Sequence, residues 1–340
     1  SLRSSVDNTV DGNWSIAGVS TVVANDIVTV FIEGEAASSS QAVTVTKYSG
    51  TGDIAGVELI EAHLSVGSDQ RNTITNTNLS QYDSSVSVKR TFHDVSGTTL
   101  TADVDAAVAG EELYVKGGNT YQPNSAGGDT INTHDVEING TFDLDSNVVA
   151  ASGSWDNNGL FIANTGSVSF TGIGAEIVSN VASGSYASHF NHLKVDSPGG
   201  TGTLTLNDVN ITASGQIKIE TGDTLSISSA RRLTHTGSNF VLNGTVSGAG
   251  TFVFADTSNG PGTSGTLSSV VRYDSTTANT PTATFDARTY GGLVEVYSNA
   301  TAVRTVTAPS GTFIFNGGLN IVATNSANIE LTGATNNPTV

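Results

Sequence analysis

Apolar and polar residues alternate along most of the chain with a period of two. In a β-strand, successive side chains point to opposite faces, so we expect each strand to bury one face and to carry Thr, Ser, Lys or Glu on the other. The alternating apolar residues occur at Val28, Val30 and Ile32; Val43 and Val45; Val86 and Val88; Val136 and Ile138; Val168 and Phe170; Leu204 and Leu206; Ile217 and Ile219; Leu225 and Ile227; Phe252 and Phe254; and Phe313 and Phe315.

Short polar turns separate these runs. Helix is nearly excluded, because β-branched residues and glycine interrupt every window of helical length, and only residues 54–63 and 104–112 could hold a turn or two. Asn-Gly pairs favour tight turns with a left-handed backbone, and they occur at Asn139-Gly140, Asn158-Gly159, Asn243-Gly244 and Asn316-Gly317. The sequence therefore predicts an all-β protein.

The length and spacing of the strand-like runs change near Gly97. Before it, longer hairpin-like strands with irregular connections predict a β-sandwich-like N-terminal domain over residues 1–97, with an extended segment at its start. After it, shorter and more evenly spaced strands predict a β-solenoid, similar to a parallel β-helix, over residues 98–340, with about 20 to 30 residues per coil. A lone coil would leave two apolar faces in water, so the coils must stack.

A loose internal repeat accompanies this change. Leu193 aligns with Leu293 and Gly215 with Gly317, which gives a period of ~100 residues, several coils long. A string of small β-sandwiches of about 100 residues each would give the same period. We favour the solenoid, because the closely spaced strands leave little room for Greek-key crossovers.

Composition narrows the range of partners. The formal charge is -18, with 13 Lys plus Arg against 31 Asp plus Glu, which argues against nucleic acid and anionic membranes. Cysteine is absent, which excludes disulfides and thiolate chemistry. Charged residues make up only 13% of the chain, and Gly, Ser, Thr and Asn take their place, as in secreted β-proteins. With no Met, signal peptide or long apolar run, we expect a processed form or a fragment, without a membrane span.

Residues 112–172 resemble a known type of surface repeat. The phrases that carry the resemblance are GNTYQP, TINTHDVEINGTF, SGSWDNNG and TGSVSFTG, and residues 26–70 resemble the module that often precedes it. The repeat occurs in very large predicted surface proteins of uncultivated bacteria of the candidate-phyla type. The resemblance implies an exported, β-rich protein with an adhesive or structural role, and it supplies no catalytic residues.

Few residues suggest metal binding. His189 and His192 have the spacing of a ligand pair, but residues three apart on a strand point to opposite faces, so they could meet only across a turn. The carboxylates of 143–147 and 103–105 are oxygen ligands of the kind calcium favours, without the glycine and distal glutamate of a calcium loop. We assign no metal-ligating or cofactor-binding residue, and calcium is the one ion these runs would suit.

Catalytic and carbohydrate-binding patterns are also weak. Glu111 and Glu112 could be offered as a glycosidase pair. A polysaccharide lyase site would need Arg or Lys beside clustered acids, and the only dense basic feature after Gly97 is Arg231-Arg232. We therefore assign no catalytic residue and expect no enzyme. Trp14 and Trp155 are the only tryptophans. Exposed aromatic rings are typical of sugar-binding platforms, whereas Trp155, just before the turn DNNG, is better explained as a packing anchor at a coil corner.

These patterns favour an extracellular structural protein, a subunit or segment of a surface fibre, sheath or stalk. The last 24 residues remain strand-like without a cap, so we expect either that the chain continues beyond Val340 or that this end pairs with another copy in a homopolymer. Expected partners are further copies or neighbouring segments of a larger surface protein. The alternative is an adhesin or carbohydrate-binding module with a glycan or cell-surface partner, and a polysaccharide-degrading β-helix is less favoured.

Overall fold

The structure is a computed structural model. It describes residues 14–16, 22–32, 42–83, 93–102, 112–178, 189–255, 260–275, 283–298, 304–308, 311–323 and 329–333. The expectations for Val86, Val88, residues 103–105 and Glu111, and for nearly all of the extended N-terminal segment, lie outside these residues. The predicted fold class is confirmed: the protein is almost all β, and its stacked parallel sheets form a β-solenoid of about 10 turns.

Thirty-five strands and one short helix make up the described chain. In the first half they are β1 (Ile27–Ile32), β2 (Ala42–Lys47), β3 (His63–Val66), β4 (Thr73–Ile74), α1 (Asn76–Leu79), β5 (Asp94–Ser96), β6 (Thr99–Thr101), β7 (Glu112–Val115), β8 (Thr120–Tyr121), β9 (Thr130–Thr133), β10 (Asp135–Ile138), β11 (Thr141–Asp143), β12 (Val148–Ala151), β13 (Trp155–Asn157), β14 (Leu160–Ile162), β15 (Ser167–Phe170), β16 (Glu176–Val178), β17 (His189–Phe190) and β18 (His192–Val195). In the second half they are β19 (Thr203–Leu206), β20 (Ile211–Ala213), β21 (Gln216–Ile219), β22 (Thr224–Ile227), β23 (Arg232–His235), β24 (Asn239–Leu242), β25 (Thr245–Ser247), β26 (Thr251–Phe254), β27 (Thr266–Leu267), β28 (Val270–Ser275), β29 (Ala283–Thr284), β30 (Thr289–Tyr290), β31 (Val294–Ser298), β32 (Arg304–Ala308), β33 (Ile314–Phe315), β34 (Leu319–Ala323) and β35 (Ile329–Gly333).

Successive coils each contribute one strand to each of three faces. The longest face is an 11-stranded sheet in the order β1-β2-β3-β7-β10-β13-β16-β19-β22-β25-β27. An 8-stranded sheet from β5 to β24 forms the second face. The third is formed by a 4-stranded sheet from β4 to β14, and then by a 7-stranded sheet from β17 to β34. Apart from the β1–β2 and β5–β6 pairs, the pairings among the described strands are parallel, as stacking of coils requires.

The register between coils is regular in the middle of the chain. Thr203, Thr224, Thr245 and Thr266 are successive register partners, each 21 residues after the last, because 224 − 203, 245 − 224 and 266 − 245 all equal 21. This spacing agrees with the predicted coil length. Since neighbouring strands lie about 4.8 Å apart, about 10 turns correspond to roughly 50 Å of stacked β-structure.

A single apolar core runs along the interior of the stack. Most inward positions predicted from the alternation are confirmed: Val168 and Phe170 are each 1% exposed, and Ser169 between them faces outward. In β1 the prediction was wrong, because Ile27 and Phe31 pack against the core whereas Ile32 is 43% exposed. Identical positions stack from coil to coil, so that Tyr121, Phe142 and Phe161 form a ladder of aromatic rings. Each coil therefore buries its apolar side chains against the next one.

The short helix lies elsewhere than the sequence predicted. Residues 54–63 contain no helix, whereas α1 begins after Thr75, whose side chain accepts from the Asn78 backbone N–H at 3.2 Å. The Asn78 side chain accepts in return from the Thr75 N–H at 3.1 Å. This reciprocal capping satisfies backbone donors locally and nucleates a single helical turn that periodicity alone does not reveal.

The Asn-Gly pairs are not left-handed turns. Gly140, Gly159, Gly244 and Gly317 do not have positive φ, so that prediction was wrong. Their role is to let successive coils approach each other. A Cβ on Gly159 would lie 2.1 Å from the Gly140 carbonyl oxygen, and one on Gly140 would lie 2.4 Å from that of Lys116. Glycine is required here by the close approach between coils rather than by backbone conformation.

Two details of the predicted organisation differ from the structure. Parallel stacking begins before Gly97, because β2 and β3 pair in parallel and β3 continues the same sheet into β7. The sandwich-like antiparallel pairing is confined to β1–β2 and β5–β6 within the described N-terminal part, and independent folding of residues 1–97 stays a prediction. Leu193 lies in β18 of the 8-stranded sheet, whereas Leu293 precedes β31 of the 7-stranded sheet, so these two residues do not occupy equivalent positions.

Candidate functional site

Trp155 lies inside the core. Its side chain is 0% exposed, and its ring lies 4.8 Å from that of Phe161 and 5.6 Å from that of Phe190. This position confirms the packing anchor and excludes a sugar-binding platform at Trp155. Among the residues whose exposure the structure describes, the large exposed apolar side chains are all aliphatic. A surface of exposed aromatic rings is therefore not found in this part of the chain.

His189 and His192 lie on two different faces. His189 is exposed in β17, and His192 begins β18, with a corner of the coil between the two strands. The Nδ1 atom of His192 accepts a hydrogen bond from the backbone N–H of Gln216 at 2.8 Å. His192 thus links two successive coils, a structural role that accounts for its position.

The carboxylates of residues 143–147 are held between amide side chains from the neighbouring coils. Gln122 Nε2 donates to Asp143 at 3.1 Å and to Asp145 at 2.8 Å. On the opposite side, Asn164 Nδ2 donates to Asp143 at 2.9 Å and to Asp145 at 3.2 Å. Burial, with the nearby charge of Asp145, raises the pKa of Asp143. The run predicted to suit calcium is thus satisfied by an amide ladder, and Asn147 is buried at the next corner.

The cluster of ionisable side chains most suited to chemistry lies on the outward face of the 11-stranded sheet. His63 and Glu112 are register partners on β3 and β7, and Glu137 lies on β10, the next strand. His63 Nε2 lies 2.9 Å from a Glu112 carboxylate oxygen. One ligand atom from each of the three side chains lies within 4.8 Å of the others. We refer to these three residues as the His-Glu-Glu cluster.

The segment between β2 and β3 partly covers this cluster. Thr44 donates a hydrogen bond to the Glu58 carbonyl, and Lys116 pairs with the Glu58 carboxylate. The side chains of His63 and Glu112 are each 18% exposed as a result. The Nδ1 atom of His63 bonds the backbone carbonyl of Glu61 at 2.5 Å. The cluster is therefore a shielded, ordered arrangement rather than a solvated surface pair.

The cluster perturbs the titration of its members. Burial lowers the pKa of His63, but hydrogen bonds to Glu112 and the Glu61 carbonyl, with the charges of Glu112 and Glu137, outweigh burial and raise it above 6.5. Burial raises the pKa of Glu137, and the charges of Glu112 and Asp156 add to this effect against the hydrogen bond from Asn139. The cluster therefore favours a positive charge between its carboxylates.

Sequence reasoning did not find this cluster. In the sequence, Glu112 stands out only as a neighbour of Glu111, and no motif marks His63. The three residues come together through the parallel register of β3, β7 and β10, across connections of very different length. Aligning HLSV with ELYV stacks His63 on Glu112, but the first residue of DVEI is Asp135, and Glu137 lies two residues further along β10, opposite Tyr114.

The other surface feature of note is a shallow groove of about 260 Å³. None of the residues that line it has an ionisable side chain. The lining presents hydroxyl, amide and methyl groups, from Thr101, Asn132, Thr133, Ala150, Ser152 and Thr171. Arg231 and Arg232, the basic pair noted in the sequence, lie at β23, far along the chain from this groove. The groove therefore offers serine and threonine hydroxyls, but its lining residues include no acid or base that would activate them.

Comparison with known protein families, with curated proteins and with solved structures gave no match.

Proposed function

We propose that this chain is an extracellular structural protein, a subunit or segment of a surface fibre, sheath or stalk that self-associates through β-rich contacts. The observation that carries the proposal is the continuous ladder of the 11-stranded sheet from β1 to β27, over one uninterrupted apolar core. In such a stack each coil is fixed by backbone hydrogen bonds and by burial against its neighbours, which makes a stiff rod.

The chemistry of the surface supports an exported rod. The chain contains no cysteine, carries a formal charge of -18 and presents Thr and Ser on the outward positions of strands such as β15, β19 and β22. The resemblance of residues 112–172 to surface repeats points the same way. Within the described residues, no helix has the length and apolar character needed to cross a membrane.

Self-association is supported by the outermost described strand of the long sheet. β1 pairs with β2 on one side, and among the described strands it has no partner on the other. Ile32, at its end, is 43% exposed. An unprotected strand edge with apolar side chains is a template for pairing with another chain. This edge is the contact through which copies, or neighbouring segments of a larger surface protein, would join.

Electron microscopy of the purified full chain tests the proposal. We expect filaments or end-to-end oligomers at high protein concentration, and we expect Ile32→Lys to abolish them, because a charge on the edge strand opposes pairing. Val148→Lys is the matched control, because Val148 is 38% exposed on a strand in the middle of the stack. Monodisperse monomers at all concentrations would overturn self-association, and equal loss in both variants would overturn the role of β1.

A further inference from the structure

The His-Glu-Glu cluster requires a cation between its ligand atoms. The Glu61 carbonyl can only accept a hydrogen bond, so the Nδ1 atom of His63 must carry a proton. In the neutral imidazole, Nε2 would then hold a lone pair directed at the Glu112 carboxylate, 2.9 Å away. Two acceptors at this distance repel each other unless a proton or a metal ion lies between them.

The hydrogen bond to Glu61 also fixes the imidazole for metal binding. Histidine ligands usually donate their second ring N–H to a backbone carbonyl or carboxylate, which fixes the tautomer and the ring orientation. Glu137 is oriented in the same way, because Asn139 Nδ2 donates to one of its oxygens at 2.6 Å. The second carboxylate oxygen of Glu137 remains available as a ligand. Two of the three side chains are thus oriented by neighbouring groups that are not themselves ligands.

The charge and the spacing both suit a divalent ion. With a neutral imidazole, the two glutamates carry two negative charges in a shielded position. In a tetrahedral Zn²⁺ site with bonds of about 2.0–2.1 Å, ligand atoms lie about 3.3 Å apart. The separations here, 2.9 Å between His63 and Glu112 and at most 4.8 Å among all three, bracket that value. Small rotations of the side chains would bring the three atoms to a common ion.

We propose that His63, Glu112 and Glu137 bind a divalent first-row transition-metal ion such as Zn²⁺, with the imidazole Nε2 and one oxygen from each carboxylate as ligands. The mixed nitrogen and oxygen set is suited to Zn²⁺ or Co²⁺ rather than to calcium, which takes six to eight oxygen ligands. The ion joins β3, β7 and β10. In a chain without cysteine, it takes the place of a disulfide as a cross-link between coils.

Isothermal titration calorimetry tests this site: chelator-treated full-length protein is titrated with Zn²⁺ and the heat of binding is measured. We expect saturable binding of one ion and a Tm that rises with Zn²⁺ concentration. Co²⁺ in place of Zn²⁺ should give visible absorption bands of tetrahedral or five-coordinate geometry. His63→Ala and the isosteric Glu137→Gln should each weaken binding by about 100-fold or more, and Asn139→Ala by about 10–100-fold, since orienting groups have effects of that size.

His134→Ala is the matched control. His134 lies 3.0 Å from the Asp135 carboxylate, but its side chain is 40% exposed and it is not part of the cluster. Zn²⁺ affinity should be unchanged in this variant. Circular dichroism of Glu137→Gln verifies that the fold survives. Absence of saturable binding in the wild type, or equal affinity in the wild type, His63→Ala and Glu137→Gln, would overturn the metal site and leave an imidazolium–carboxylate pair.

Discussion

The indole ring of Trp155 meets the ring of Phe161 at a centroid distance of 4.8 Å and an interplanar angle of 76°. Edge-to-face contacts of this kind contribute about 0.5–1.5 kcal/mol beyond the burial of the rings. Phe142 and Phe190 enclose the same indole from neighbouring coils. The tryptophan thus joins three coils of the solenoid through one cluster of aromatic side chains.

Trp155→Ala should therefore destabilise the protein by about 3–5 kcal/mol, the usual cost of removing a large buried aromatic side chain. Trp155→Phe should cost less, because it retains a ring in the cluster and removes a buried Nε1–H that has no hydrogen-bond partner. Urea unfolding followed by far-UV circular dichroism measures both. Ile173→Ala, at a residue that is 77% exposed, is the control and should change stability little. Equal stability of Trp155→Ala and the control would contradict this role.

Features set by local alternation could be predicted from the sequence. Val168 and Phe170 lie inside because residues two apart on a strand share a face, and that rule needs no knowledge of the neighbouring coil. The cluster of His63 and Glu112 depends instead on which strands become neighbours. β3 joins β7 across four intervening elements, so the pairing is a property of the whole stack.

The reason for glycine at each Asn-Gly corner could not be predicted from the local sequence either. The sequence identified the corners correctly, but a turn and a close approach between coils both favour glycine. The absence of positive φ at these glycines, and the 2.1 Å between a Cβ on Gly159 and the Gly140 carbonyl oxygen, distinguish the two reasons. The candidate metal site and the reason for the corner glycines were therefore accessible only once the register between coils was known.

Arg288 is a buried cation that holds one coil against the next. Its guanidinium donates to the carbonyls of Pro261, Gly262 and Gly265 at 3.3, 3.0 and 3.0 Å. Arg288→Met should destabilise the protein by about 1–3 kcal/mol, because the buried Pro261 carbonyl and the partly buried carbonyls of Gly262 and Gly265 lose their donor. Arg288→Lys should restore only part of this loss, since an ammonium lacks the planar fork.

Thermal unfolding of the Arg288 variants, compared with Arg232→Met, measures this effect. Arg232 is exposed, so its replacement should leave stability within about 0.5 kcal/mol of the wild type. If Arg288→Lys were as stable as the wild type, the fork geometry would have no role. If Arg288→Met behaved like Arg232→Met, the contacts with the three carbonyls would not contribute to stability.

Because His93 is buried, the protein should lose stability in acid, where its side chain binds a proton. Burial lowers its pKa from 6.5 to about 4, against the opposing effects of the Leu79 carbonyl and of the charges of Asp83 and Asp94. Between these two values the unfolded chain binds the proton more strongly, so stability falls as the pH decreases from 6.5 towards 4. A shift of this size corresponds to about 3 kcal/mol.

His93→Gln removes that titration. The difference in unfolding free energy between pH 7.5 and pH 4.5 should therefore be smaller in the variant than in the wild type by about 2.5 kcal/mol, because pH 4.5 is still above the folded pKa and not all of the shift is expressed there. His63 contributes with the opposite sign, because its raised pKa stabilises the fold at low pH and this stabilisation is lost as the pH rises through the folded value. Both proteins retain His63, so its contribution cancels. A chemical-shift titration that placed the His93 pKa near 6.5 would refute the prediction.

Because the coils approach closely at the Asn-Gly corners, adding a single methyl group there should lower the stability of the protein substantially. In Gly159→Ala the new Cβ would lie 2.1 Å from the Gly140 carbonyl oxygen, which itself accepts a hydrogen bond from the Leu160 N–H at 2.8 Å. The coils must separate locally, and overpacking of this kind costs about 1–3 kcal/mol.

Gly117→Ala is the matched control for Gly159→Ala. Gly117 lies at the corresponding corner of an earlier coil, where the turn is two residues longer, and it too has no positive φ, but there a Cβ would meet only the Asn139 carbonyl oxygen at an ordinary 3.5 Å. Urea unfolding should show a marked loss of stability for Gly159→Ala and little change for Gly117→Ala. If the two variants lost stability equally, conformational freedom rather than the contact between coils would explain glycine at these corners, because both replacements restrict the backbone alike.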